Sequence, residues 1–195
     1  MLPKPASATL SPPGAAGCPL QPVVFLDIDG VLNLTKVAWR TVEVPRSRGP
    51  GRPGKPGARK LVWEREFRRE PVQQLDRLLE QTRASLVLSS SWRLQLGVRT
   101  VLEGFGVQGP WHEVWRTDDL DGGRGAQIER WLAANGRPRH VILDDWPHEL
   151  HGHWGQVVLT NNQTGLTREL ANEAREKLHR QRYESAVSPQ ASATR

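Results

Sequence analysis

One cysteine occurs in 195 residues, Cys18, and it lies in a stretch that has too few apolar side chains to fold. The remainder therefore holds no disulfide framework, no cysteine-ligated zinc and no thiol nucleophile. No apolar run approaches the roughly 20 residues that span a bilayer, so the chain reads as soluble and cytoplasmic, without a membrane partner. Charge is nearly missing from residues 1–21, where Lys4 stands alone, and Pro12, Pro13 and Pro19 interrupt any signal-peptide apolar region. Such a Pro, Ala, Ser and Gly mixture cannot bury enough surface to fold, so residues 1–21 and the polar, small-residue stretch 183–195 read as disordered tails. Residues 22–182 between them are enough for one domain with a real core, and they contain no internal repeat.

Acidic residues are absent from 45–60, which reads PRSRGPGRPGKPGARK. Arg46, Arg48, Arg52, Lys55, Arg59 and Lys60 together equal the whole formal charge of +6, so the rest of the chain sums to zero. A local positive field on a neutral body suits a polyanionic partner; a solvated loop is the plain alternative. Alternating apolar positions flank this loop, Val37, Trp39, Val42 and Val44 before it and Leu61, Trp63 and Phe67 after it. Residues 35–67 thus read as a hairpin-like flap inserted after the first strand. Trp39 and Trp63 on its arms would pack on each other or stack on bases.

Past the flap, the spacing of Val72, Leu75, Leu78 and Leu79 predicts a helix over 71–83, with Pro71 in its first turn. Further helices are expected over 94–102, 125–135 and 167–182, and strands over 23–28, 86–88, 111–115, 140–143 and 156–159. Apolar strands that do not alternate with polar residues, separated by helices, mean a parallel α/β sheet covered on both faces.

Three of these strands end in polar clusters: Asp27 and Asp29, then Ser89, Ser90 and Ser91, then Asp144 and Asp145. In a parallel sheet those ends lie on one edge, where open α/β sheets bind ligands. An Asp-Gly turn would explain Asp29-Gly30 by itself. Convergence of three such ends points instead to a catalyst. Asp-x-Asp on an extended chain puts both side chains on one face, where they could share one cation. A carboxylate can attack phosphorus and split hydrolysis into two easier steps, with Mg²⁺ masking the negative charges. Asp27 and one of Asp144 and Asp145 suit the metal, Asp29 suits proton transfer, and Ser90 and Ser91 suit the phosphoryl oxygens. Arg124, at the mouth of a helix, is the cation best placed to balance phosphate.

The string VVFLDIDGVL, then strand-Ser, a basic residue before a helix, and strand-Asp-Asp resembles the four-motif layout of the haloacid-dehalogenase-like (HAD) phosphatases over residues 22–182. The resemblance implies a Rossmannoid three-layer sandwich with a small flap or cap insert. It implies Asp27 as nucleophile, Asp29 as acid/base, Ser90 as the second-motif hydroxyl, and Asp27, Asp29, Asp144 and Asp145 about Mg²⁺. Arg124 stands where the family usually has lysine. Ser90-Ser91-Trp92, the helix containing Ile128 to Leu132, and Thr164-Gly165-Leu166-Thr167 are most similar to the HAD domains of Swiss Army knife RNA repair proteins.

The resulting expectation is a Mg²⁺-dependent phosphomonoesterase for nucleic-acid ends or nucleotides. Ser91, Trp92 and Arg93 would hold substrate, and Arg46, Arg48, Arg52 and Lys55 would bring in RNA or DNA ends. Two other readings predict different behaviour: a degenerate scaffold that only binds nucleic acid, and a mononucleotidase. His148, His151 and His153 have no strong zinc spacing and read as a polar loop.

Overall fold

The computed structural model describes residues 20–34, 39–43, 59–63 and 68–187. Five strands form one parallel sheet: β1 (Val23–Leu26), β4 (Ser85–Leu88), β5 (Trp111–Arg116), β6 (His140–Asp144) and β7 (Val157–Leu159). Their spatial order is β5-β4-β1-β6-β7, so the strands that carry the three polar ends are neighbours, with β1 in the middle. β2 (Trp39–Glu43) and β3 (Arg59–Trp63) form a separate antiparallel pair, with Trp39 opposite Trp63. The rest of the expected flap lies outside the described residues, and with it Arg46, Arg48, Arg52 and Lys55.

Every residue of β1 is fully buried, because helices cover both faces of the sheet. Val24 and Leu26 face one layer, which holds α1 (Arg69–Thr82), α2 (Val98–Gly104) and α4 (Arg168–Val187). Val23 and Phe25 face the other, where α3 (Gly123–Ala134) supplies Ile128, Trp131 and Leu132. Alternate side chains thus feed opposite cores, which is why the strand reads as a continuous apolar run. The architecture is the three-layer α/β sandwich that the sequence predicts.

Two departures have local causes. Where spacing predicts one helix over 94–102, a 3-10 turn over Ser91–Leu94 comes first and α2 starts only at Val98. Gly97, at φ 72°, sits in the left-handed region and separates the two. At the other end, α4 continues through residues 183–187, which the composition assigns to a tail. No helix among the described residues is long and apolar enough to cross a membrane.

Phe25 meets Trp131 edge-on at 5.2 Å and His140 at 5.8 Å on the α3 side. Phe25→Ala should lower the unfolding free energy by about 3–5 kcal/mol, read from the urea midpoint. A loss below about 1 kcal/mol would contradict the packing described.

Candidate active site

At the carboxyl ends of the strands the ladder runs one residue further. Asp27 N–H donates to Leu143 O at 3.0 Å, Ser89 N–H to Leu26 O at 3.0 Å, and Thr160 N–H to Asp144 O at 2.9 Å. Backbone bonds therefore set Asp27, Ser89 and Asp144 at one level before their side chains do anything. Asp27 and Asp144 are buried, and Asp145 is half-buried. One carboxylate oxygen from each lies within 4.8 Å of the others, and among the described residues this is the only group of three or more side chains with the reach to hold a metal ion.

Arg124 completes the cluster. Its Nη1 pairs with Asp144 Oδ2 and lies 3.3 Å from Asp27 Oδ1. The first turn of α3 places it there. Arg124 N–H donates to Glu149 Oε2 at 3.3 Å, and His153 Nε2 bonds Gly125 O at 3.1 Å. A Cβ at Gly125 would come 2.6 Å from Glu149 O, so only glycine lets this turn sit against the segment that follows Asp145. His153 is thus a buried brace for α3, and the three histidines do not form a metal group among the described residues.

Three carboxylates against one guanidinium leave two negative charges uncompensated in a largely buried space. Burial raises the Asp27 pKa from its ordinary 3.8 to about 6; Arg124 and the Ser90 hydroxyl oppose that rise, and Asp144 adds to it. Burial likewise raises Asp144, against Arg124, and raises Asp145, with Asp27 adding repulsion. Burial opposes charge on Arg124 too, but Asp27 and Asp144 more than offset it and raise its pKa. All-oxygen donors with excess negative charge suit a hard divalent cation and do not suit a soft one.

Asp29 departs from expectation. An extended Asp-x-Asp would present both carboxylates to the same cation, but β1 ends at Leu26 and the chain turns. Ile28 O accepts from the N–H groups of Val31, Leu32 and Asn33, and Gly30 is left-handed at φ 74°. The Asp29 carboxylate is consequently outside the group of three. Its Oδ1 accepts from Asn33 Nδ2 at 2.9 Å and its Oδ2 from Trp92 Nε1 at 3.0 Å. Gly30 also makes room for Asp145, because a Cβ there would fall 2.0 Å from Asp145 Oδ2.

The second polar strand end divides its tasks. Ser90 is buried, accepts from Trp92 N–H at 3.4 Å and hydrogen-bonds the Asp27 carboxylate. Ser91 is exposed at the start of the 3-10 turn. Arg93 is not open to substrate: its guanidinium donates to Asp118 O, Ser89 O, Ser90 O and Gln127 Oε1, fastening the turn to α3 and the loop before it. Trp92 is buried with its indole on Asp29, whereas Trp146, directly after Asp145, is 60% exposed.

Asn33, His153 and Thr160 escape sequence reasoning as parts of the site, and Trp92, expected to hold substrate, is found bonded to Asp29. Thr160, whose hydroxyl donates to Gly30 O at 2.9 Å, had a signal: it ends the fourth apolar strand just as Ser89 and Asp144 end theirs. The Trp92–Asp29 bond, between residues 63 apart, had none.

A family model for the HAD domain in Swiss Army Knife RNA repair proteins matches residues 23–171. No curated protein matches the chain. The matched span runs from the first residue of β1 into α4 and includes every side chain of the cluster.

A raised carboxylate pKa means that the folded state binds the proton more tightly than the unfolded one, so stability falls as pH rises between the two values. For Asp27 that window is 3.8 to about 6 and the loss is up to about 3 kcal/mol, at about 1.4 kcal/mol per tenfold. In the absence of divalent cation the melting temperature should fall across this window, and Asp27→Asn should show a shallower fall and a higher melting temperature at neutral pH. Identical profiles for the two proteins would contradict the assignment.

Proposed function

Since the chain belongs to the HAD domain family of Swiss Army Knife RNA repair proteins, we propose that it hydrolyses phosphate monoesters at nucleic-acid ends with the help of Mg²⁺. The observation that carries this reading is the convergence of Asp27, Asp144 and Asp145 with Arg124 on the Asp27 carboxylate. The family carries a phosphohydrolase chemistry that needs such a cluster, and here three carboxylates lie within 4.8 Å of one another while Arg124, at a helix mouth, pairs with Asp27 and Asp144.

In this reading Asp27 attacks phosphorus through a carboxylate oxygen, and the bond from phosphorus to the ester oxygen breaks as the aspartyl-phosphate forms. Asp29, held by Trp92 and Asn33, gives its proton to the departing alkoxide. It then takes a proton from water, whose oxygen attacks the same phosphorus and releases inorganic phosphate and free Asp27. Two donors meeting Asp29 from the ring of Trp92 and the amide of Asn33 fix its direction without burying it among the other acids. Mg²⁺ bound by Asp27, Asp144 and Asp145 would neutralise the charge that otherwise keeps an anionic nucleophile from an anionic phosphate. Arg124 and the Ser90 hydroxyl, both already on Asp27, are placed to follow the phosphoryl oxygens when they arrive. Arginine in place of the usual lysine keeps this charge, and its single nitrogen Nη1 lies between Asp27 and Asp144.

Trp146 favours a nucleotide end over a sugar phosphate. An indole this exposed beside Asp145 offers a base a stacking face, and stacking is tolerant of sequence. The ring of His148 lies 4.8 Å from it and supports one side.

Phosphate release from oligonucleotide 3′-phosphate, oligonucleotide 5′-phosphate and free nucleotides, each with Mg²⁺, tests the reading. At least one oligonucleotide should be turned over, and Asp27→Asn should abolish that release; retained turnover contradicts the mechanism. Trp146→Ala should reduce kcat/KM on the preferred oligonucleotide about tenfold and leave glycerol phosphate unaffected. Equal loss on both substrates would remove the stacking role.

A further inference from the structure

α1 and α4 pack side by side and both begin at the edge of the sheet that carries the carboxylates. α1 ends immediately before β4, which runs parallel to β1, so α1 must travel from the carboxylate edge to the opposite one. α4 starts just after Leu166, whose N–H donates to Val31 O at 2.8 Å in the loop that follows Asp29. The furrow between the two helices therefore leads away from the candidate active site, down the outer face of the molecule.

Two cavities open along this furrow, and Gln81 lines both. The one nearer the carboxylate edge, about 550 Å³, takes its basic side chains from Arg77, Arg168 and Arg175. The one at the far edge, about 920 Å³, takes them from Arg83, Arg137, Arg139, His179 and Arg182. Neither is lined by a carboxylate, although α1 contains Glu70, Asp76 and Glu80 and α4 contains Glu169, Glu173 and Glu176. Asp76 and Glu80 instead border a separate recess with Gln108 and Pro110, which shares Arg83 and Gln21 with the larger cavity. The described acids of both helices are thus absent from the lining of the furrow.

Spacing explains the stripe. Arg168, Arg175 and Arg182 recur every seven residues, so they fall on one face of α4 at about 10 Å intervals along its axis. Only Arg137 among these arginines has an ion-pair partner, Glu129, among the described residues. Burial, and then the nearby Arg182, lower the Arg139 pKa, as expected where like charges crowd without acids. Arg83 and Arg137 are also the two non-glycine residues with positive φ among the described residues, 55° and 53°. Arg83 closes α1 where glycine is the usual choice, Arg137 follows Gly136 at the end of α3, and left-handed backbone costs a residue with a Cβ about 1 kcal/mol or more. Arginine at both sites, lining one cavity, puts charge there in spite of that cost.

We infer that the α1–α4 furrow is a second binding site, for the phosphodiester backbone of a single-stranded polynucleotide. The charges are spread along about 20 Å of helix and do not converge on one point, which suits a string of phosphates better than a single anion. They line a concave furrow, which suits a strand better than a flat lipid surface. The site goes beyond the phosphatase reading, for it needs no catalysis, and its named arginines are other residues than those of the basic stretch 45–60.

The test is equilibrium binding of an oligouridylate lacking terminal phosphate, followed by fluorescence anisotropy over a range of salt, with the full-length protein. Because no phosphate can be released from this probe, a wrong phosphatase reading would leave the result unchanged. The double variant Arg175→Gln/Arg182→Gln should reduce the steepness of log K against log salt by about 1.4, which weakens binding about 25-fold at 0.1 M salt. Arg180→Glu changes net charge by the same amount on the same helix but lies outside both cavities, and it should leave the slope unchanged. If the double variant does not fold, Arg182→Glu against Arg180→Glu asks the same question at two exposed positions. An unchanged slope in the furrow variant, or an equal loss in both, would overturn the inference. So would retained oligouridylate affinity with lost binding to phosphatidylserine vesicles.

Discussion

Three acids packed around one arginine at the end of a buried strand are the constraint on which the rest of this structure depends. Asp27, Asp144 and Asp145 repel one another and lose hydration, and Arg124 is the cation that pairs with two of them. A soft scaffold would relieve that repulsion by letting the chain move apart. This one does not, because Asp27 and Asp144 continue a hydrogen-bonded ladder between strands whose side chains are fully buried on both faces. The repulsion is held by the buried centre of the sheet, and a divalent cation bound there would relieve it.

Much of the surrounding structure serves to aim side chains that the ladder alone would leave free. Gly30 turns the chain so that Asp29 leaves the acid cluster, and its missing Cβ is the space that Asp145 occupies. Trp92 belongs to the core on one side and donates to Asp29 with its ring nitrogen on the other, so core packing and the aim of Asp29 share one residue. Gly125, Glu149 and His153 clamp the mouth of α3 and thereby hold Arg124. Asp27 and Asp29, two residues apart in sequence, consequently stand in different electrostatic surroundings. That separation is what two carboxylates need if one is to attack and the other to move protons.

Positive charge is organised on a longer scale. By arithmetic the whole excess resides in residues 45–60, and the remaining chain is neutral. Neutral in sum is not neutral in space: the helices α1 and α4 line their common furrow with arginines and with none of their described acids. A polyanion approaching the protein would meet a field that net charge does not report.

The sheet and its polar edge were legible in the sequence, for reasons tied to particular residues. Val23 to Leu26, Leu86 to Leu88 and Val141 to Leu143 are apolar without alternation, which only a two-sided sheet explains, and each is followed at once by oxygen-bearing side chains. Residue type and spacing suffice there because a ladder is a local, periodic object. Arg124 could be proposed from its place before a helix, and its contact with Asp27 bears on that proposal directly. What the sequence by itself determined was therefore the fold class and the acids at the strand ends. Only tertiary structure decided that Asp29 faces Trp92 and Asn33 and lies outside the group of three acids, that Arg93 is spent on backbone carbonyls, and that Arg168 and Arg175 meet Arg77 in one cavity. Those outcomes depend on a turn that breaks the two-residue period and on helices from distant parts of the chain lying side by side, and neither is encoded in the spacing of neighbouring residues.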